Sequence, residues 1–140
     1  MERFHERQKN VARLAGTFAV MYIISIIWYL FIIGGYNEVQ FAAVARAELS
    51  MTMIIVGYLV LTFLMSYIYP IGFKGGEPLQ EGLRFGVLLG LAANLPTALI
   101  FAGAYNMPLV ANLIDAAYHT VEITIGATVM ALIYGSEAAG

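Results

Sequence analysis

The sequence predicts an all-α integral membrane protein, a four-helix transmembrane bundle with short loops. Hydrophobic residues make up 61% of the chain and charged residues only 11%, which is too little charge to cover the surface of a soluble domain. The apolar residues are also gathered into four long segments. Each segment has a length close to the roughly 20 residues that a helix needs to cross the hydrocarbon core of a bilayer.

The spans lie within a single membrane domain that covers residues 1–140. The first apolar segment is too long for the core of a typical signal peptide, and no small-residue cleavage site follows it, so we expect it to be retained. Polar, glycine-rich or proline-containing sequence separates the segments. We place the spans at about residues 11–33, 49–69, 82–104 and 109–134.

The two connections between the first three spans are expected to differ, one a helical turn and the other a loop. Trp28 and Tyr29 lie towards the far end of the first span, where an aromatic belt would meet the membrane surface. Residues 41–48 are short, alanine-rich and charged, which indicates a helical turn at the interface before the second span. Residues 70–80 contain three glycines and two prolines, which predict a loop.

The third span has the most regular pattern in the chain, with a small residue or asparagine at every fourth position. Residues four apart share one face of a helix, and a face of small residues lets two helix backbones approach closely in lipid. A phosphate-binding loop does not fit, because the pattern lies inside an apolar span and has no Lys-Ser/Thr end. The pattern consists of Gly82, Gly86, Gly90, Asn94, Ala98 and Ala102, and we predict that the glycines pack against the fourth span.

The fourth span carries ionisable residues inside an apolar stretch. Asp115, His119 and Glu122 stand at i, i+4 and i+7, so they share one helix face, and Asn112 begins the same stripe. Ionisable groups at membrane depth are costly, and they usually face a protein interior or a water-filled cavity. If the chain has a functional site, this stripe is expected to form it.

The third and fourth spans predict a hairpin folded at Asn106. Counting outward from this turn brings Asn94 level with His119, and Gly90 level with Glu122. The polar stripe would then face the small residues of the third span, and Asn94 would form a hydrogen bond with His119. We therefore predict one site composed of Asn94, Asp115, His119 and Glu122.

Several roles for this stripe stay open at the level of the sequence. The residues could be interhelical hydrogen-bonding groups that select a partner face, with carboxyl groups kept neutral by burial. They could instead relay protons or bind a cation in a transporter. Di-iron bundles need Glu-x-x-His motifs from two helices, and only one helix here offers such ligands, so we predict no metal and no other cofactor. Ligation of a haem or a pigment by His119 alone is a further alternative.

Composition excludes some functions and leaves others. The absence of cysteine excludes disulfides and thiolate catalysis, and the net charge of −2 argues against nucleic acid as a partner. No catalytic motif is present, so we do not expect an enzyme. The expected partners are the lipid bilayer and either other membrane subunits or further copies of the chain. The leading interpretation is an accessory or assembly subunit of a larger membrane complex or homo-oligomer, and the alternative is a small transporter or channel that uses the polar stripe.

The basic residues predict the orientation in the membrane. Arg46 alone lies on the side of the first and third connections, whereas the other basic residues lie on the side of the chain termini. Because Lys and Arg favour the cytoplasmic side, both termini are expected in the cytoplasm. The residues on the side of the termini are Arg3, Arg7, Lys9, Arg13, Lys74 and Arg84.

Residues 69–91 have the sequence YPIGFKGGEPLQEGLRFGVLLGL. This stretch resembles small bacterial four-helix membrane proteins of unknown function, and the resemblance extends over about the C-terminal half of the chain. It implies a four-helix membrane fold and no known activity, so no functional residue is carried over from it. With the predicted orientation, it leads us to expect a protein of the bacterial inner (cytoplasmic) membrane.

Overall fold

The chain forms an α-helical bundle, and the described residues contain no strand. The computed structural model describes the backbone of residues 2–138 and the side chains of residues 10–135. A π-helical segment, Trp28–Ile32, directly continues the first helix. The helices are α1 (Glu2–Ile27), α2 (Gly34–Gln40), α3 (Met51–Gly72), α4 (Pro78–Ala104) and α5 (Leu109–Ala138).

Four helical stretches are long and apolar enough to cross a membrane, and the predicted all-α four-helix membrane bundle is confirmed. Their surfaces carry many exposed aliphatic side chains, as lipid-facing helices require. The four stretches are Asn10–Ile32, Met51–Gly72, Pro78–Ala104 and Leu109–Gly135.

Two connections differ from the sequence-based prediction. The loop after the second span is shorter than predicted, because α3 continues through Pro70 to Gly72 and α4 already begins at Pro78. Pro70 stands in the last turn of α3, so it interrupts little of the helix, and Pro78 occupies a first-turn position that needs no N–H. Residues 41–48 are not helical; the short helix α2 precedes them.

Helix α5 is the centre of the bundle and packs against α4, α1 and, at fewer positions, α3. At one end of the bundle, the Arg13 guanidinium lies 5.0 Å from the ring centre of Tyr134. At the other end, the Tyr29 hydroxyl donates a hydrogen bond to Asp115. Helix α1 is therefore antiparallel to α5. We call the end with the α4–α5 turn (residues 105–108) the turn end, and the opposite end, with residues 73–77, the tail end.

The glycines of α4 pack directly on the backbone of α5. A Cβ added at Gly90 would lie 2.8 Å from the Cα of Thr120, and one added at Gly82 would lie 2.7 Å from the Cα of Thr128. A Cβ added at Gly86 would lie even closer to the Cα of Thr124. No side chain fits at this distance, so the glycines are what allows the two helices to approach.

The tail half of the bundle has an apolar core. Met21 of α1 and Met65 of α3 are fully buried, and they pack with α5 side chains that include Ile123, Ala127 and Met130. Methionine fills irregular space between helices well because it is unbranched and flexible. The ionisable stripe lies on the turn-end side of this core.

Candidate functional site

The hydrogen-bonding partners of the polar stripe on the other helices are Tyr29, just after α1, and Tyr58 of α3, and not a residue of α4 as the sequence suggested. Helix α4 covers the neighbouring threonine face of α5 (Thr120, Thr124, Thr128). Gly90 lies opposite Thr120, two residues from the Glu122 that the hairpin count placed there, so the depth was nearly right and the rotation was wrong. The predicted hydrogen bond between Asn94 and His119 does not form. The Asn94 amide instead donates to the carbonyl oxygen of Gly90, at 2.8 Å.

The π-helical segment places two consecutive aromatic residues, Trp28 and Tyr29, against α5. The amide of Ile33 donates to the carbonyl oxygen of Trp28 at 2.9 Å, a span of five residues, and this wider turn adds a residue to the helix face. Gly34 makes room for the turn: a Cβ at this position would lie 2.5 Å from the carbonyl oxygen of Tyr29. The local sequence thereby fixes the position of Tyr29.

Tyr118 is held between these two aromatic residues. Its ring stacks on Trp28 with centroids 4.5 Å apart and planes within 4°, and Tyr29 contacts it edge-on at 5.6 Å. Both geometries are favourable for aromatic pairs. The stacking orients the Tyr118 hydroxyl, which donates a hydrogen bond of 2.8 Å to Glu122.

Glu122 is an acid in the interior of the bundle, with only 1% of its surface exposed. One carboxyl oxygen, Oε1, accepts hydrogen bonds from the hydroxyls of Tyr58 on α3 and Tyr118, each at 2.8 Å. The other oxygen, Oε2, lies 2.8 Å from Nδ1 of His119. Both oxygens therefore have partners, as a buried carboxyl group requires.

A second carboxyl group lies at the other side of His119. The Tyr29 hydroxyl is 2.7 Å from Oδ1 of Asp115 and 3.0 Å from Nε2 of His119. About a third of the Asp115 side chain is exposed, compared with almost none of Glu122. One continuous chain of hydrogen bonds thus runs from Asp115 through Tyr29 and His119 to Glu122.

This series of hydrogen bonds can carry one proton between Asp115 and Glu122. If Asp115 is ionised, the Tyr29 O–H donates to it, Nε2–H of His119 donates to the tyrosine oxygen, and protonated Glu122 donates to Nδ1. If Glu122 is ionised, every donor reverses and the proton resides on Asp115. Both arrangements satisfy every hydrogen bond and contain the same number of protons. Proton transfer along three short hydrogen bonds interconverts them.

A cavity of about 320 Å³ opens beside Asp115 at the turn end, between α1, α4 and α5. This volume is in the range of sites for small ligands. The predicted residue Asn94 lines it together with Asp115 and His119, so the structure brings three of the predicted site residues to one cavity. The other lining residues are Tyr29, Asn37, Phe41, Val44, Thr97, Ala98, Phe101, Met107, Asn112 and Ala116.

The stripe does not form a metal cluster. Among the described residues, no group of three or more His, Cys, Asp or Glu side chains is arranged to hold a metal ion. Both ring nitrogens of His119 are within hydrogen-bonding distance of a partner, Nε2 of Tyr29 and Nδ1 of Glu122. A haem, a pigment or a metal bound by His119 would have to displace one of them.

The tyrosines of the network are the functional residues that sequence reasoning missed. Tyr118 stands four residues before Glu122, so helical spacing could have added it to the stripe. Tyr58 lies in the middle of α3, where a hydroxyl away from the membrane surface needs a buried partner. Tyr29 carried no such signal, because its position near the end of a span is typical of an aromatic belt.

Comparison of the chain with protein-family models, with curated proteins and with solved structures finds no match.

Proposed function

We propose that this chain is a small transporter-class membrane protein that binds a solute in the turn-end cavity and exchanges one proton with it. The observation that carries the proposal is the unbroken hydrogen-bonded chain from the cavity to the buried acid Glu122, with links of 2.7, 3.0 and 2.8 Å. The hydrogen bonds of Glu122 alone would satisfy its carboxyl group, so the continuation of the path from His119 through Tyr29 to Asp115 supports a relay. Intramembrane acids and histidines are typical of proton relays.

The direction of access supports the same role. The hydrogen-bonded path ends at Glu122. Between Glu122 and the tail end lie Met21, Met65 and Met130, each at most 1% exposed. The interior between Glu122 and the tail end is thus filled by apolar side chains, whereas the cavity beside Asp115 lies at the turn end. This asymmetry supports a solute site that is reached from the turn end.

The relay is tested by breaking its middle link. A pH jump on the purified full chain in detergent, followed by the infrared band of the protonated carboxyl group, gives the rate at which Glu122 exchanges its proton. Loss of the band in Glu122→Gln assigns it. Tyr29→Phe removes the hydroxyl between Asp115 and His119 and should slow the exchange at least about tenfold, equivalent to about 1.4 kcal/mol of barrier.

Other tyrosine variants provide the comparison. Tyr58→Phe removes a donor to the same carboxyl group without interrupting the path, so its exchange rate should fall much less than that of Tyr29→Phe. Tyr36→Phe changes an exposed tyrosine near the turn end and should match the wild type. Equal slowing in Tyr29→Phe and Tyr58→Phe, or a Glu122 that never changes protonation, would overturn the relay.

The second candidate is the accessory or assembly subunit, alone or as a homo-oligomer. One observation favours it: a groove of about 510 Å³ lies between α3 and α4 near the tail end, and its walls are mainly apolar. Helices α3 and α4 do not pack closely there. A helix of a partner subunit or of a second copy would fill this groove. The groove is lined by Tyr69, Gly72, Lys74, Glu81, Arg84, Phe85, Leu88 and Leu89.

Native mass measurement of the particle extracted in mild detergent tests this candidate. A subunit in a complex should co-purify with larger proteins or as a multimer. Leu88→Trp places bulk in the groove and should reduce that association, whereas Leu91→Trp, on an exposed part of α4 outside the groove, should not. A strictly monomeric wild-type particle would contradict the subunit role and leave the transporter proposal in place.

We further propose that the chain resides in the bacterial inner membrane with both termini in the cytoplasm. Arg13, Lys74 and Arg84 stand at the tail end, and Arg46 stands between α2 and α3 at the turn end. Arg3, Arg7 and Lys9 are also among the basic residues predicted on the side of the termini, but their side chains lie outside the part that the structure describes. The bacterial setting comes from the resemblance of residues 69–91. The cavity would then open to the side opposite the cytoplasm.

A further inference from the structure

Asp115 presents an unused acceptor to the turn-end cavity. Its Oδ1 accepts the hydroxyl of Tyr29, but its Oδ2 lies 3.7 Å from Nε2 of His119, which is beyond hydrogen-bonding distance. The side chain lines the cavity and is about one third exposed. When the proton of the relay is on Glu122, Asp115 is a carboxylate with a free oxygen at the cavity wall.

Two asparagines of the cavity also offer acceptor oxygens. The Asn94 amide donates to the carbonyl oxygen of Gly90 at 2.8 Å, and the Asn112 amide donates to the carbonyl oxygen of Pro108 at 3.1 Å. A backbone carbonyl only accepts hydrogen bonds, so the NH₂ group must point to it, and each side-chain oxygen is left as an acceptor beside one remaining N–H. Asp115, Asn94 and Asn112 thus each contribute an acceptor oxygen to the residues that line the cavity.

The charged side chains around the cavity are mainly negative, like Asp115. Among the described residues, no Lys or Arg lines the cavity, and Asp115 is its only carboxylate. The connection between the first two spans, at the turn end, carries the acids Glu38 and Glu48 and one basic residue, Arg46. A site of this sign concentrates cations and repels anions.

Aromatic side chains complete the wall. Tyr29, Phe41 and Phe101 all line the cavity, next to apolar residues such as Val44 and Met107. Aromatic faces attract organic cations, and apolar contacts suit a short hydrocarbon group. A bare metal ion would find only one carboxylate here and could not use the aromatic and aliphatic side chains as ligands.

We infer that the cavity binds a small organic cation with a primary ammonium group, and that Asp115 is its counter-ion. The three N–H donors of the ammonium group match the free oxygens of Asp115, Asn94 and Asn112, and its carbon chain contacts the aromatic wall. This assignment rests on the proposed solute-binding function and names its substrate class. The bound cation also stabilises ionised Asp115, so binding moves the relayed proton towards Glu122.

The test is calorimetric titration of the purified full chain in detergent with ethylammonium, tetramethylammonium, acetamide and acetate. Ethylammonium should bind saturably, and acetamide and acetate should not. Tetramethylammonium has the charge but no N–H donor, so it should bind at least about tenfold more weakly. Asp115→Asn should reduce the affinity for ethylammonium at least about tenfold, and Asn94→Leu should reduce it less. Glu77→Gln, an exposed acid at the tail end, is the matched control and should bind as the wild type does.

Each outcome bears on the assignment. Binding of acetate or acetamide in preference to ethylammonium would overturn the substrate class while leaving a solute site in the cavity. Competition of ethylammonium by equal concentrations of Na⁺ or K⁺ would identify a metal-ion site instead and would also overturn it. Absence of ethylammonium binding to the wild type refutes the inference, whereas the proton relay stands or falls separately with the exchange rate of Tyr29→Phe.

Discussion

At the scale of single residues, Glu122 shows how a membrane bundle accommodates an ionisable side chain. Its partners come from two helices: Tyr58 from α3, and Tyr118 and His119 from α5 itself. The carboxyl group accepts two hydroxyls on one oxygen and shares a proton with the imidazole on the other. Both carboxyl oxygens thus have hydrogen-bonding partners, and no unpartnered oxygen of Glu122 is left in the apolar interior.

The network makes the stability of the bundle sensitive to what replaces Glu122. Glu122→Gln keeps an acceptor for both tyrosines and an N–H₂ group for Nδ1 of His119, so its apparent melting temperature in detergent should stay close to that of the wild type. Glu122→Leu removes the acceptor that Tyr58 and Tyr118 share and the partner of Nδ1 of His119, and should lower stability by about 1–3 kcal/mol. A Glu122→Leu protein as stable as Glu122→Gln would contradict the described network.

At the scale of secondary structure, the π-helical segment of α1 links backbone geometry to the site. Gly34→Ala would place a Cβ 2.5 Å from the carbonyl oxygen of Tyr29, so the wide turn must open or shift. Trp28 is the only tryptophan in the sequence and stacks on Tyr118, so its fluorescence reports that shift. We expect a changed emission spectrum and slower proton exchange at Glu122.

The neighbouring glycine is the matched control for this change. A Cβ at Gly35 would meet nothing within 4 Å, so Gly35→Ala should retain the wild-type emission and exchange rate. If both alanine variants behave alike, the π-helical turn does not position Trp28 and Tyr29.

The contact between α4 and α5 gives a second prediction at this scale. Gly86→Ala directs a methyl group onto the Cα of Thr124, which is backbone and cannot move aside, so the helices must separate. Overpacking of this kind costs about 1–3 kcal/mol, and thermal unfolding in detergent should occur at a lower temperature. Gly103→Ala adds the same methyl group at an open position of α4 and should unfold at or above the wild-type temperature. Equal melting of the two variants would contradict close helix packing.

The site was predicted only in part, for a reason that belongs to helices. Spacing along α5 identified Asp115, His119 and Glu122 as one face, and loop length gave the depth of Gly90 to within two residues of its true neighbour. Neither signal fixes the rotation of a helix about its axis. That rotation was set by the threonine face of α5, which fits the glycines of α4, so the ionisable residues find their hydrogen-bonding partners on the first and second spans instead.

At the scale of the whole molecule, the fold class followed from hydropathy alone, because a bilayer admits few ways to satisfy a buried backbone. Hydropathy did not predict which helix lies at the centre of the bundle. Helix α5 lies at the centre, although it carries Asp115, His119 and Glu122. A helix with polar groups gains more from protein neighbours than from lipid, and the more uniformly apolar helices are left at the periphery.

The distribution of charge between the two ends gives the last prediction. The chain contains no cysteine, so a single introduced cysteine is the only thiol that a reagent can find. Asn106→Cys places it in the exposed turn of the turn end, and Lys74→Cys places it in the exposed loop of the tail end. Because the basic residues concentrate at the tail end, Asn106→Cys should react with a membrane-impermeant maleimide in intact cells, and Lys74→Cys only after the membrane is opened. The reverse pattern would put the termini outside and turn the cavity towards the cytoplasm, so a bound ammonium solute would have to enter from within the cell.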